Sequence, residues 1–88
     1  MARPKQPQPE LGILGEFVGL MPPFIARSSV HHFTGGAIKP KTVQNDDEKG
    51  KGPRKAIYIA GKRCYPTPFF LEYLEGKGVS EIVVNPTI

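Results

Sequence analysis

Cysteine and long apolar runs, which mark many secreted and membrane proteins, are nearly missing from this chain. The single cysteine, Cys64, has no partner for an internal disulfide, as is typical of proteins in a reducing cytosol. No apolar run approaches the roughly 18 residues that a transmembrane helix needs, because glycines and prolines interrupt the mildly apolar stretch 11–24. No uninterrupted signal-peptide core follows the basic start. The sequence therefore predicts a soluble, cytoplasmic protein that spans no membrane.

The residues of a catalytic or metal site are missing as well. No pair of titratable side chains is spaced for acid–base or nucleophilic chemistry. The segment from Gly50 to Lys55 does not match the phosphate-binding loop of nucleotidases, which requires Gly-Lys-Ser/Thr after an earlier glycine. His31 and His32 are adjacent, so on a helix they point about 100° apart and cannot share one ion. We expect no enzymatic activity, no cofactor and no small-molecule substrate.

Proline and glycine, in contrast, are abundant, with ten of each in 88 residues. This composition places much of the chain in turns and ends, and the length leaves room for one small domain. We expect a flexible N-terminal arm at 1–23, a folded domain at 24–78 and a tail at 79–88. Within the arm, residues 11–23 fit either a weak helix or an extended segment. Within the tail, residues 82–84 are prone to form a strand.

Positive charge is concentrated in one part of the sequence. Between Lys39 and Tyr65 there are eight cations and three anions, a net charge of +5. The remaining residues carry four cations and five anions, a net charge of −1. So uneven a distribution indicates a surface that meets a polyanion.

Two short helices separated by a glycine turn precede the centre of the chain. Ser28 is placed to cap a first helix at 29–34, in which Val30 and Phe33 share the inward face and after which two glycines end the helix. Pro40 opens a second helix that runs to about residue 49. Val43 is its inward anchor. This order is typical of a helix-turn-helix.

A β-hairpin and a third helix are predicted next. A two-residue loop of Gly61 and Lys62 in type II′ geometry places Ile59 opposite Cys64 and Tyr58 opposite Tyr65. In this arrangement the cysteine is a small core residue. Thr67 then caps a third helix, with Pro68 at its first position and an apolar stripe of Phe70, Leu71 and Leu74.

Three motifs, in this order, resemble the MerR-like, excisionase-type winged helix-turn-helix domains that bind DNA. Pro40-Lys-Thr-Val43 is similar to the opening of their second helix, and Lys49-Gly-Lys-Gly-Pro53 to the exit from it. The run from Ile59 to Pro66, followed by an apolar helix that ends Leu71-Glu-Tyr-Leu-Glu, is similar to their wing and closing helix. The resemblance covers residues 24–78. It implies an α+β, mostly helical fold of a helix-turn-helix, a hairpin wing and a closing helix, with flexible termini.

The resemblance also places the second helix in the major groove of DNA. Asparagine and glutamine there can bond to adenine, and lysine and threonine can reach base edges or phosphates. Cations of the hairpin tip and the linker before it would contact the DNA backbone or minor groove. The candidate DNA-binding residues are Lys39, Lys41, Thr42, Gln44, Asn45, Lys51, Arg54, Lys55, Lys62 and Arg63.

Two features of the second helix depart from the family pattern. Lys39 stands where the family has a capping serine or threonine, and a lysine cannot accept the backbone N–H bond. Asp46, Asp47 and Glu48 put three negative charges on a helix that should face phosphate. We interpret these acids as a solvated face turned away from DNA.

Binding of double-stranded DNA is thus the expected function, either as a phage or mobile-element excisionase or as a small transcriptional regulator. An integrase and adjacent copies of the same chain are the expected protein partners, because one small module buries too little surface for tight, selective binding. Two alternatives remain open. One is a basic RNA-associated protein, for which only Tyr58 and Tyr65 are candidate stacking residues. The other is a protein-interaction module on the same fold.

Overall fold

A three-stranded antiparallel sheet and three α-helices make up the domain in this computed structural model, which describes residues 9–80. The strands are β1 (Phe24–Ala26), β2 (Ile57–Ile59) and β3 (Lys62–Pro66), with β3 in the centre. The helices are α1 (Val30–Phe33), α2 (Pro40–Glu48) and α3 (Thr67–Gly76), and 3-10 helices occupy Ile13–Leu20 and Arg27–Ser29. The chain is a small α+β domain, as predicted. No helix within residues 9–80 is long and apolar enough to cross a membrane.

Strand β1 adds a third strand that the sequence did not predict. It pairs with β3, with Ile25 opposite Tyr65. The residues just before β1 also hold the start of α3: the carbonyl of Pro23 accepts the backbone N–H of Thr67 at 3.0 Å, and that of Pro22 accepts its hydroxyl. The prediction that Thr67 caps α3 is therefore wrong, since its buried side chain bonds to a segment 45 residues away in sequence.

The β2–β3 hairpin turns one residue earlier than predicted. Its loop is Ala60-Gly61, so that Ile59 lies opposite Lys62 and Ile57 opposite Cys64. Both loop residues have positive φ, 52° and 80°, as in a type I′ turn. The predicted pairs were wrong by two positions. Because a shift of two preserves the alternation of a strand, the same residues share a face as predicted. The face that meets the core cluster, however, is that of Tyr65 and not that of Ile59 and Cys64.

The first helical segment begins differently from the prediction. Residues Arg27–Ser29 form a 3-10 helix that leads into α1, and Ser28 makes no capping bond because Ser29 is the N-terminal boundary of α1. Val30 is fully buried as expected, whereas Phe33 remains 40% exposed. The end of α1 follows the prediction: the glycines after it have positive φ, and the N–H of Gly36 donates to the carbonyl of His31 at 2.7 Å.

Helix α2 has the predicted start and end. Pro40 stands in its first turn, and Gly50 follows it with a φ of 72° that favours glycine. Val43 is its one fully buried side chain. It packs into a core with Ile25 and Val30 and with three side chains of the second half of the chain: Tyr65, Phe70 and Leu71. Cys64 is buried, as predicted, but it follows the opposite alternation from Tyr65 on β3 and therefore lies on the other face of the sheet, outside this cluster.

The part of the N-terminal arm that the structure describes is helical and packs on α3. Glu75 of α3 holds its first turn, accepting the N–H groups of Gly12 and Leu14 at 2.8 Å each. Leu14 and Val18 then rest against the core. Of the two interpretations of residues 11–23, the helical one is therefore the closer. Residues 1–8 and the predicted strand at 82–84 lie outside the described part of the chain.

Candidate functional site

Helix α2 has an outward and an inward polar face. Lys41 and Asn45, four residues apart, are exposed on the outward face together with Glu48. Gln44 and Thr42, which flank this strip, are half-buried. The inward face carries Val43, Asp46 and Asp47, which have the i, i+3, i+4 spacing of one helix stripe.

Asp47 is the centre of a polar cluster that joins α2 to the sheet. Its Oδ2 accepts hydrogen bonds from the hydroxyl of Tyr65, from Nε of Arg63 at 3.1 Å and from Nη1 of Arg27 at 3.3 Å. The Asp47 side chain is only 10% exposed. A buried carboxylate needs such donors to offset the loss of water. Two separate elements are thereby fixed relative to α2: the 3-10 helix Arg27–Ser29 and strand β3 of the hairpin.

Gly52, in the linker after α2, lies against the same carboxylate. A Cβ at this position would overlap Oδ1 of Asp47 and lie 3.2 Å from its Cα. Glycine is therefore required here by close approach, since its φ is not in the positive region. The linker adds a backbone bond to the helix, from the N–H of Lys51 to the carbonyl of Asp46 at 2.7 Å.

Asp46 makes the corresponding contact with α3. Its Oδ2 accepts the hydroxyl of Tyr73 at 2.5 Å and pairs with Nζ of Lys77 at 2.7 Å. The hydrogen bond from Lys77, followed by that from Tyr73, holds the pKa of Asp46 below its usual value. Asp46 and Asp47 together are called the aspartate anchor below.

A row of three aromatic rings lies between the two carboxylates. Phe70 stacks on Tyr65, with ring centroids 6.3 Å apart, and faces Tyr73 at 6.1 Å. Both tyrosine hydroxyls, at the two ends of the row, bond to the aspartate anchor. Burial, and then the hydrogen bond to Asp47, raise the pKa of Tyr65 to about 12. The same two causes raise the pKa of Tyr73, with Asp46 as its partner.

The acidic triplet of α2 is therefore not one solvated face. Asp46 and Asp47 point into the domain, and of the three only Glu48 is exposed. The sequence contained a signal for this arrangement, because the two aspartates follow the buried Val43 at the spacing of an inward stripe. Sequence reasoning missed the anchor and its partners: Arg27, Tyr65, Tyr73 and Lys77.

Both candidate arginines are engaged within the protein. Arg63 binds Asp47 and donates from Nη1 to the hydroxyl of Tyr58 at 3.0 Å. It lies opposite Tyr58 in the middle of the hairpin and is half-buried. The bond to Tyr58 is the main reason that the pKa of Arg63 is raised. Arg54 forms a bidentate pair with Glu72 of α3, at 2.6 and 2.9 Å, and this pair raises the pKa of Arg54.

The six lysines between residues 39 and 65 differ from the two arginines in having no acidic partner. Within residues 9–80, none of these six lysines forms an ion pair. Lys55 is half-buried, with its ammonium 5.7 Å from the centre of the Phe69 ring, and the others are exposed. Lys39 precedes α2 without a side-chain cap, and Lys62 stands beside the hairpin loop. We call them the lysine set: Lys39, Lys41, Lys49, Lys51, Lys55 and Lys62.

The ten candidate residues thus divide into two groups. The first group has eight members, which lie in and around the first half of α2, in the linker that follows it and beside the hairpin loop: Lys39, Lys41, Thr42, Gln44, Asn45, Lys51, Lys55 and Lys62. Arg54 and Arg63 are held by Glu72 and Asp47. The ion pair between Arg63 and Asp47 holds the hairpin against α2. Lys62 precedes Arg63 directly in sequence, so it lies close to this contact.

Comparison with known proteins identifies no relative. No protein-family model, curated protein or solved structure matches the chain. The resemblance to MerR-like, excisionase-type domains depends on the three sequence motifs alone.

Proposed function

We propose that this protein binds double-stranded DNA through the outward face of α2 and the tip of the β2–β3 hairpin, as a small cytoplasmic winged helix-turn-helix protein. The observation that carries the proposal is the separation of charge around α2. Its two aspartates are neutralised inside the domain, while the lysine set has no acidic partner within residues 9–80. A duplex offers the dense row of negative charges that such a surface attracts.

The outward face of α2 also carries the groups needed to distinguish bases. Asn45 is exposed one turn after Lys41, and Gln44 lies beside them. Amide side chains can bond bidentately to adenine in the major groove. The start of the helix adds the positive end of its dipole, which favours a phosphate. We assign base reading to Asn45, Gln44 and Thr42, and phosphate contacts to the lysine set.

The contact between the hairpin and α2 supports the assignment of the hairpin as a wing. The Asp47–Arg63 pair holds the middle of the hairpin to α2, and Lys62 and the loop lie directly beside it in the sequence. In this proposal Arg63 orients the wing, whereas Lys62 contacts DNA. Arg54 contributes to DNA binding only if a phosphate replaces Glu72 as its partner.

Fluorescence anisotropy with a labelled duplex tests the proposal. With about five phosphates neutralised, log K should fall with log salt at a slope of roughly −4 to −5. Lys41→Ala and Lys62→Ala should each weaken binding for all sequences and reduce that slope by about 1. Lys5→Ala is the matched control, because it removes the same charge at a position that is not among the ten candidate residues and lies far from them in sequence. Equal weakening by the control would show only a general charge effect and contradict the assigned surface.

Base reading requires a selected sequence. After selection from a random duplex pool, Asn45→Ala should lose about 1–3 kcal/mol on the selected site and little on random duplex. An equal loss on both would remove Asn45 from the reading surface. Tighter binding to single-stranded RNA than to duplex would favour the RNA alternative, in which Tyr58, at 67% exposure, is the available stacking residue.

The two DNA roles differ in what they do to the duplex. An excisionase bends attachment-site DNA for an integrase, whereas a repressor or activator need only occupy its site. End-to-end energy transfer across a duplex carrying the selected sequence distinguishes them, because a sharp bend shortens the distance between the ends. Cooperative binding to adjacent sites would indicate contacts between copies of the chain.

A protein-interaction module is the second candidate, and one observation favours it. Phe24 and Ile59 are each 46% exposed on the same face of the sheet, away from the core. Exposed apolar side chains grouped on one face are typical of protein contacts. The acidic triplet of α2 does not support this candidate, because two of its three members are bound internally. Failure to bind either nucleic acid would favour it.

A further inference from the structure

An apolar groove opens between the N-terminal 3-10 helix, the end of α1 and helix α3. Its volume is about 560 Å³. Leu14 and Phe17 form one wall, Leu71 and Leu74 another, and Phe33 closes one end. Phe17 and Phe33 are 39% and 40% exposed. Contact between water and such an apolar surface is unfavourable in free energy. A segment with apolar side chains that covered the groove would therefore stabilise the protein.

The described chain ends on the wall of this groove. Gly78 and Val79, which follow α3, are part of its lining. Gly78 has a φ of 104°, which turns the backbone sharply out of the helix. Ser80 is the last described residue, and eight residues follow it. The next segment of the chain therefore starts at the groove, without any connecting loop to cross.

Only one end of the chain has the composition to fill the groove. Residues 1–8 read Met-Ala-Arg-Pro-Lys-Gln-Pro-Gln, with Met1 as their one large apolar side chain. Residues 81–88 contain Ile82-Val83-Val84 and end at Ile88. An extended chain advances at most about 3.5 Å per residue, so Ile82 reaches about 10 Å from Val79 and Val84 about 17 Å. This reach spans the width of a helix with its side chains, about 10–12 Å, and hence the distance from α3 to a neighbouring element.

We infer that Ile82, Val83 and Val84 of the same chain cover this groove and hold the N-terminal 3-10 helix against α3. The tail is then part of the fold and not only an extension of it. This inference is independent of DNA binding, because the groove contains none of the ten candidate DNA-binding residues.

In an extended tail Ile82 and Val84 share one face. Val84→Asp in the full chain is therefore the first test, with Thr87→Asp as the matched control for added charge in the same tail. A carboxylate forced toward the groove should lower Tm by about 8 °C or more, whereas the control should change it by no more than about 3 °C. Equal Tm values for the two variants would overturn the inference.

Amide chemical shifts supply a second readout that does not require a loss of stability. Between the parent and Val84→Asp, the largest shift changes should fall on Leu14, Phe33 and Leu74, which lie outside the tail in sequence. Changes confined to residues 78–88 would contradict the inference. In a mixed sample of labelled and unlabelled chains, contacts between tail and groove should stay within one chain. Contacts between chains would assign the groove to a second copy and overturn it as well.

Discussion

The two faces of helix α2 have similar polarity in the sequence but opposite surroundings in the structure. On the outward face, Lys41 and Asn45 are exposed and make no side-chain bond within residues 9–80. On the inward face, the aspartate anchor holds two tyrosines, two arginines and a lysine of other elements. The difference shows that a charged helix residue does not by itself mark a binding surface. Charges that already have partners stabilise the fold, and charges without them are available to a ligand.

The largest effect is expected from Asp47→Ala, which removes the shared acceptor of Arg27, Arg63 and Tyr65. Three donors would then lose their partner in a half-buried site, and the free energy of unfolding should fall by about 3 kcal/mol. Urea unfolding followed by circular dichroism measures it. Glu48→Ala, the neighbouring exposed acid, is the control and should change stability by less than about 0.5 kcal/mol. Similar losses for both would erase the distinction between the two faces.

Gly52→Ala should have the next largest effect, about 1–3 kcal/mol. Its added methyl group would overlap Oδ1 of Asp47, so either the linker or the carboxylate must move. Gly76→Ala is the control, since a Cβ there meets nothing within 4 Å and lies at the end of α3. We expect the control to be neutral or stabilising by up to about 1 kcal/mol. A neutral Gly52→Ala would mean that the aspartate anchor tolerates displacement.

Alkaline pH should lower the free energy of unfolding through Tyr65, whose hydroxyl bonds to Asp47 on the inward face of α2. Because the pKa of Tyr65 is raised from 10.0 to about 12, the folded state holds its proton more tightly than the unfolded chain. This contribution to stability is complete below pH 10 and is lost between about pH 10 and 12, with a magnitude of about 2 kcal/mol at most. Urea unfolding at successive pH values should show a smaller loss for Tyr65→Phe than for the parent.

Acid should act through Asp46 with the opposite sign. Its pKa is lowered from 3.8, so the folded state binds the proton less tightly than the unfolded chain does. The contribution is present above pH 3.8 and declines as pH falls through the lower folded value. Asp46→Asn should therefore show a shallower decline in stability in this range, measured by the same unfolding experiment. An unchanged acid profile would show that Asp46 gains nothing from Lys77 and Tyr73.

The smallest effects on stability are expected on the outward face. Lys41→Ala and Lys62→Ala should change the free energy of unfolding by less than about 0.5 kcal/mol, because neither side chain has a partner within residues 9–80. The same variants should weaken duplex binding, so the two measurements together distinguish residues that contact DNA from residues that stabilise the fold. A large loss of stability would contradict this expectation, because it would mean that these lysines stabilise the fold through contacts outside residues 9–80.

Local signals predicted the elements that depend on local chemistry. Pro40 and Gly50 set the bounds of α2, and Val43 is buried as its position indicated. The hairpin register was harder to predict, because Gly61 can adopt a positive φ at either loop position. Ala60 also has a positive φ, which is rare for alanine and which the sequence does not indicate. β1 is three residues long, too short for its alternation to be recognised.

Polar partners were the least predictable part of the structure. Thr67 has the local pattern of a helix cap, yet its hydroxyl bonds to Pro22. Arg63 has the local pattern of an exposed hairpin tip, yet its guanidinium binds Asp47 and Tyr58. In the first case and in the bond to Asp47, the partner comes from a distant part of the chain, where a short sequence window contains no information about it.

By itself, the sequence of this protein determined the accumulation of positive charge between residues 39 and 65, the bounds of α2 and the alternation of side chains along its hairpin, since each depends on composition or on spacing along one element. Only the tertiary structure decided which of those charges remain available. Asp47 lies 16 residues from Arg63 and 20 from Arg27, and it meets them because the sheet and α2 close over the same aromatic row. Charge pairing depends on distance in space, and that distance exists only once the chain has folded.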